Sequence, residues 1–137
     1  MKLITGGIFA GKYERLLALG FQPEEIANGE TVPFAEAFQK PALTRLNFLI
    51  RRLLEAGIDP KAFVLEQVKQ RPSITIACDE VGGGVVPIEK GDREYRETVG
   101  RICCELAAMA EEGERVYCGI PTILKSEGKG WGSRGTL

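Results

Sequence analysis

The chain contains no histidine at all. That single absence removes Ser-His and Cys-His nucleophile pairs, histidine-ligated zinc and imidazole acid–base catalysis together. Any chemistry must therefore use carboxylates, a lysine, arginines, a bound metal or the backbone. Cysteine is scarce as well: there are four, with Cys103 and Cys104 adjacent and none in CxxC spacing, so no disulfide framework is encoded and reduced, mostly buried thiols are expected. An excess of one charge is also missing. With 18 Lys+Arg against 19 Asp+Glu the net charge is -1, which leaves no long-range field to hold nucleic acid or anionic lipid. Nowhere do roughly 18 apolar residues run together, and the opening run Met1 to Ile4 is broken by Thr5-Gly6-Gly7. The expectation is a cytoplasmic protein with no signal peptide, no membrane partner and no nucleic-acid partner.

What is present is the material of one ordinary domain: 137 residues, 44% hydrophobic and 27% charged, enough for a single core. Lys2 to Thr5 reads as a short strand, residues 6 to 11 as a glycine loop, and Tyr13 to Leu19 as a helix stopped by Gly20. Gln22 to Ala27 suggests a short helical turn, and Glu30 to Pro41 has no clear pattern. From Ala42 to Ala56 apolar residues recur at the three-and-four spacing of an amphipathic helix (Leu43, Leu46, Leu49, Ile50, Leu53). Asp59-Pro60 then reads as a cap and first residue of a helix through Gln70. Ser73 to Cys78 is β-branched enough for a strand buried on both faces. A third long helix is predicted over Asp92 to Glu112, a strand over Glu114 to Ile120, and an extended piece from Thr122 to Lys125. Residues 126–137, with Trp131, read as a flexible tail after a domain of residues 1–125. Strands alternating with helices give an α/β domain with a mainly parallel sheet and helices on both faces. Ligands on such sheets bind at the carboxyl ends of the strands, where both glycine-rich segments, 6 to 11 and 82 to 84, are placed.

The first of these segments matches the phosphate-binding pattern Gly6-x-x-x-x-Gly11-Lys12 up to its last letter. Glycines let successive amides of Gly7, Ile8, Phe9, Ala10 and Gly11 curl around an anion, and a lysine reaches the β and γ oxygens. The next residue is normally Ser or Thr, whose hydroxyl binds Mg²⁺; here it is Tyr13, whose phenol is too long for that place. A purely structural glycine turn is the competing reading. At the end of the buried strand, Asp79-Glu80 offers carboxylates to Mg²⁺, directly or through water, where the plainer alternative is two solvated acids leaving a strand. Arg93, Arg96 and Arg101 have the chemistry to clamp a phosphate or carboxylate, although arginines on a surface helix are usually only solvated.

Beyond these patterns, Asp79-Glu80-Val81-Gly82-x-Gly84-Val85-Val86-Pro87, Arg93-x-Tyr95-Arg96-Glu97-x-x-Gly100-Arg101 and Val116-Tyr117-Cys118-Gly119-Ile120-Pro121, with Ile4-Thr5-Gly6-Gly7-x-x-x-Gly11-Lys12 before them, resemble the adenosylcobinamide kinase/adenosylcobinamide-phosphate guanylyltransferase family of cobalamin biosynthesis. The resemblance is close over residues 2 to 13 and 73 to 125. It implies a P-loop, RecA-like three-layer fold, ATP or GTP with Mg²⁺ as cofactors, and phosphorylation of the aminopropanol hydroxyl of adenosylcobinamide, a corrinoid. The family's second activity passes GMP through a histidine, which this chain lacks, so that step is expected to be absent. The chain also departs from the family at Tyr13, at Cys103-Cys104 where an Asn-Gln pair is expected, and in a segment shrunk to Gly20 to Pro41.

On this reading Gly6 to Tyr13 bind the nucleotide, with Lys12 on its phosphates, Asp79 and Glu80 place Mg²⁺, and Arg93 or Arg96 stabilises charge on the phosphoryl in transfer, with Glu30 or Glu36 as base. The alternative is a non-catalytic nucleotide- or corrinoid-binding module with a degenerate loop, favoured by Tyr13. A general nucleotide-binding protein with another acceptor is the third reading. Self-association into a homo-oligomer fits a small domain with several apolar helices.

Overall fold

Burial of consecutive residues along the central strands decides the architecture. In the computed structural model, which describes residues 1–81 and 90–126, Leu3 and Ile4 are both buried but belong to different hydrophobic clusters, as do Leu43 and Ala42, and Ile76 and Ala77. Successive side chains point to opposite faces, so this sheet is covered on both sides. Its strands are β1 (Lys2–Gly6), β2 (Ile26–Asn28), β3 (Ala42–Thr44), β4 (Thr75–Asp79), β5 (Glu112–Tyr117) and β6 (Ile120–Lys125). They lie in the order β2-β3-β4-β1-β5-β6. All neighbours pair in parallel except β5 and β6, which form an antiparallel hairpin.

Helix α1 (Lys12–Ala18) covers one face through Leu16, which packs with Ile4, Ile26, Ala77 and Val116. The other face carries α2 (Leu46–Glu55), α3 (Pro60–Gln70) and α4 (Lys90–Met109). Their buried stripes, Leu46, Leu49, Ile50 and Leu53, Val64 and Val68, and Tyr95, Val99, Ile102 and Leu106, form the larger core with Leu3, Leu43, Ile76 and Cys78. The α3 start is as its sequence dictates: the Asp59 carboxylate accepts from the Lys61 and Ala62 amides at 3.1 and 3.2 Å, and Pro60 takes the first helical position. Each cap of this kind satisfies amides that have no partner inside the helix.

Four differences from the sequence expectation have physical causes. Ala42–Thr44 is a strand, not the start of a helix, because all three residues are buried and Leu43 lies beside Ile76 in the sheet; Arg45, at φ 57, turns the corner before α2 begins. The turn expected at Gln22 to Ala27 is a 3-10 turn over Pro23–Glu25 followed by β2. The strand expected from Glu114 begins at Glu112 and ends at Tyr117, since Cys118 and Gly119 both take positive φ, 51 and 78, the backbone a two-residue hairpin turn requires. The third long helix runs from Lys90 to Met109 rather than from Asp92 to Glu112. The four cysteines are free, but only Cys78 is fully buried; Cys104 and Cys118 are exposed. Gly82 to Gly84 and Trp131 lie outside the described residues, as does the expected tail apart from Ser126. No helix among the described residues is long and apolar enough to cross a membrane.

Candidate functional site

Three strand ends meet at the carboxyl edge of the sheet. Gly6 lies beside Asp79 of β4 on one side and beside Val116 of β5 on the other. A methyl group at Gly6 would stand 2.5 Å from the Val116 carbonyl oxygen, closer than any side chain tolerates, so only glycine lets β1 close up here. The Glu80 amide donates to the Gly6 carbonyl at 2.7 Å. The loop then turns sharply. Phe9 has φ 61 and Gly11 φ 102, the Ala10 amide donates to the Gly7 carbonyl, and the Gly119 amide donates to the Ala10 carbonyl at 2.8 Å, which ties the loop to the β5–β6 hairpin.

Lys12, the first residue of α1, is only 6% exposed. Its ammonium folds back over the loop, donating to the Gly7 carbonyl at 2.5 Å and pairing with Asp79 Oδ1 at 2.8 Å. Asp79 is itself 7% exposed, and Asn47 of α2 holds it twice. Asn47 Nδ2 donates to Asp79 Oδ2 at 3.3 Å, and Asn47 Oδ1 accepts the Asp79 amide at 3.1 Å. The same Nδ2 donates to the Tyr95 hydroxyl at 3.3 Å. Burial pushes the Tyr95 phenol up from its usual range, against the lowering effect of that bond and of Arg51, whose guanidinium lies 4.1 Å over the ring. A buried ion pair is seldom kept for stability alone, because desolvation offsets most of its attraction. The pair does leave one cation and one carboxylate at the mouth of a glycine loop, available to an entering polyanion and to its counter-ion.

Glu80 sits on the same edge with a different commitment. Arg115 grips its carboxylate with two bonds, 2.7 and 3.0 Å, and the fork holds that carboxyl below the usual range. A third acid, Glu114, braces the loop helix: buried to 3% exposure, it accepts two bonds of 2.8 Å from Arg15 of α1 and lies 2.8 Å from the Lys2 ammonium. Burial alone would raise its pKa, but the Arg15 and Lys2 contacts outweigh it and hold the carboxyl below its ordinary range.

A pocket of about 390 Å³ opens beside the Lys12–Asp79 pair, between loop residues Ile8 and Phe9 with Tyr13 of α1 on one side and the β3–α2 corner at Thr44, Arg45 and Phe48 on the other. Phe9 is 95% exposed. Arg45 lies over the Phe48 ring at 5.5 Å and pairs with Glu30 at 2.6 Å. The structure thus brings the loop, Lys12, Tyr13 and Asp79 together, with Glu30 one ion pair from the pocket. Arg93 is exposed and Arg96 half-buried on α4, and neither lines this pocket among the described residues. Glu36 is exposed in a 3-10 turn, Phe34–Glu36.

For a divalent cation, no group of three or more acidic or thiol side chains converges among the described residues. Asp79 alone still fits Mg²⁺, which is commonly held by one or two carboxylates together with waters and the oxygens of a bound phosphate.

Sequence reasoning missed Asn47, Thr44, Arg45 and Phe48. Asn47 was legible as the one amide beside the apolar positions of α2, and it is 2% exposed. Thr44 and Arg45 were hidden because residues 42 to 45 share the helical spacing of α2, and Phe48 because the pocket it lines exists only once β3 is paired in the sheet.

The sequence matches the family described as cobinamide kinase / cobinamide phosphate guanyltransferase (CobU) over residues 48–124. It is also 34% identical over 74 residues to the bifunctional adenosylcobalamin biosynthesis protein CobU of Salmonella typhimurium, a match covering 53% of this chain and 41% of that protein. The aligned part is therefore less than half the length of this relative. With more than half of its residues inside the family match, the chain belongs to the cobinamide kinase / cobinamide phosphate guanyltransferase family.

Proposed function

We propose that the chain is a nucleotide-dependent kinase of cobalamin biosynthesis, a P-loop, RecA-like domain spanning residues 1–125 that phosphorylates adenosylcobinamide from ATP or GTP. The observation that carries this reading is the buried Lys12 ammonium, folded between the Gly7 carbonyl and Asp79 at the edge where three strands end. An entering triphosphate offers Lys12 more negative charge than one carboxylate does, so the ammonium turns onto phosphate oxygens, joined by the loop amides from Gly7 to Gly11. Asp79, released from Lys12, keeps its Asn47 bonds and is the residue that would hold Mg²⁺; Glu80, gripped by Arg115, is its neighbour. The ion supplies charge neutralisation at the phosphates.

Chemically, the acceptor hydroxyl oxygen attacks the terminal phosphorus, the bond to the nucleoside diphosphate breaks, and the hydroxyl proton passes to a carboxylate. Glu30, at the pocket through Arg45, is better placed for that proton than Glu36. Arg93 and Arg96 would serve the transferred group only by approach from α4. With no histidine in the chain, the reading assigns it phosphorylation and not guanylyl transfer. The exposed Tyr117, Ile120 and Ile123 of the hairpin support a homo-oligomer.

Calorimetric titration of ATP and GTP, with and without Mg²⁺, tests the site. Lys12→Ala is expected to weaken binding at least about tenfold, the loss of one charge-assisted contact of roughly 1.5–3 kcal/mol; unchanged affinity in a folded variant would overturn the assignment. A second reading rests on Tyr13, which stands where a small hydroxyl would meet the ion. It keeps nucleotide or corrinoid binding without turnover.

A further inference from the structure

Cys78 lies one residue before Asp79 at the end of β4 and is fully buried. Above it, α4 is pressed onto the sheet by Tyr95, Val99, Ile102 and Leu106, and this seating brings the half-buried Cys103 to a sulfur–sulfur separation of 3.6 Å. The two thiols share a hydrogen bond across the β4–α4 contact. The phosphate-binding chemistry proposed for the loop uses neither of them. We infer that Cys78 and Cys103 form a reversible oxidation site, a dithiol that a hydroperoxide converts into an intramolecular disulfide joining β4 to α4.

The separation is already close. A disulfide needs about 2.0 Å between sulfurs, so the two must close by about 1.6 Å from their 3.6 Å separation. Cys103 is the more accessible of the pair and reacts first. Its sulfur attacks the outer peroxide oxygen, the O–O bond breaks, and Cys103 becomes a sulfenic acid as the alcohol, or water from hydrogen peroxide, leaves. The Cys78 sulfur then attacks the Cys103 sulfur, the S–S bond forms, and the sulfenic oxygen departs as water with the Cys78 proton. Two thiols are oxidised by two electrons and one hydroperoxide is reduced. A small dithiol reverses the change by exchange. Exposed Cys104 and Cys118 have no such neighbour among the described residues and serve as internal controls. The thiol pair would oxidise whether or not the chain is a kinase.

The test treats the full chain with hydrogen peroxide, quenches in acid, alkylates under denaturing conditions and maps the thiols by mass spectrometry. The result expected is a monomer lighter by two hydrogens, with peptides containing Cys78 and Cys103 linked, Cys104 and Cys118 alkylated, and the link lost on adding dithiothreitol. Cys104→Ser should retain the link and Cys103→Ser should abolish it. If Cys78 stays alkylatable after oxidation, or if the linked peptides pair Cys104 or Cys118 instead, the site does not exist. The Cys104→Ser result decides even where a Cys103 variant folds poorly.

Discussion

Replacing Asn47 with leucine keeps the branched shape and heavy-atom count of the side chain, adds methyl bulk, and removes every polar contact it makes. In the native chain Asn47 satisfies three groups: the Asp79 amide at 3.1 Å, Asp79 Oδ2 at 3.3 Å and the Tyr95 hydroxyl at 3.3 Å. Asp79 is 7% exposed and Asn47 2%, so water does not readily take the place of the amide. A buried polar group left without its partner costs about 1–3 kcal/mol. The Asp79 amide is the worst placed of the three, since it is a backbone group inside the sheet whereas the Asp79 side chain belongs to a residue that lines the pocket. Allowing one full loss and one partial loss, Asn47→Leu should destabilise the chain by about 3 kcal/mol. For a chain between the size classes of roughly 100 and 150 residues this lowers the melting temperature by about 10 °C. Urea unfolding followed by circular dichroism measures the first figure and thermal unfolding the second. Asn47→Asp sharpens the test. It sets a second carboxylate against Asp79, and two such groups cannot both ionise cheaply. Asn47→Asp should therefore be destabilising as well, although it adds no bulk and keeps an acceptor for the Asp79 amide. A loss below about 1 kcal/mol for either variant would refute the claim that Asn47 is the post on which Asp79 is held.

Glu114→Gln should cost about 2 kcal/mol at neutral pH, below the 3–5 kcal/mol of a fully buried broken pair because Arg15 and Lys2 retain partial access to water. The folded carboxyl is held below its ordinary range by Arg15 and Lys2 despite burial, so its contribution is present above the unfolded pKa and is lost as pH falls through the folded one. Urea titrations at neutral pH and near pH 3 should therefore show the penalty shrinking in acid, and a constant penalty would contradict the ion-pair account. Asp59→Ala removes both bonds of the α3 cap and should cost about 1 kcal/mol in the same assay, with nucleotide binding unchanged; a loss of binding would mean that α3 is coupled to the site.

Much of this arrangement is legible in the sequence. Apolar runs ending in glycine or acid place β1 and β4, the three-and-four spacing places most of α2, and Asp59-Pro60 gives the start of α3. The neighbourhood of Lys12 and Asp79 also follows from placing the glycine loop that leads into Lys12, and Asp79 itself, at the ends of strands in one parallel sheet. What stays hidden has a common cause. Ala42–Thr44 and Ile26–Asn28 are three-residue strands, too short to show alternation, and their identity comes from pairing across the sheet. The second side of the pocket, Thr44 to Phe48, hangs on that pairing and on the left-handed turn at Arg45, an unusual backbone for arginine. The fork from Arg115 onto Glu80 is equally beyond reach, because it joins residues 35 apart in sequence whose strands are separated by β1. Cys103 can be placed on a helix from spacing alone, but its approach to Cys78 requires the seating of α4.

The measurement closest to the central claim is transfer of the labelled terminal phosphate of ATP and of GTP to adenosylcobinamide in the presence of Mg²⁺, run beside Lys12→Ala. The account predicts a phosphorylated corrinoid from the native chain and a rate lower by about 10²–10³-fold in the variant, the scale of losing one preorganised charge contact to a transition state. Nucleotide binding without any transfer, or equal transfer by Lys12→Ala, would contradict it.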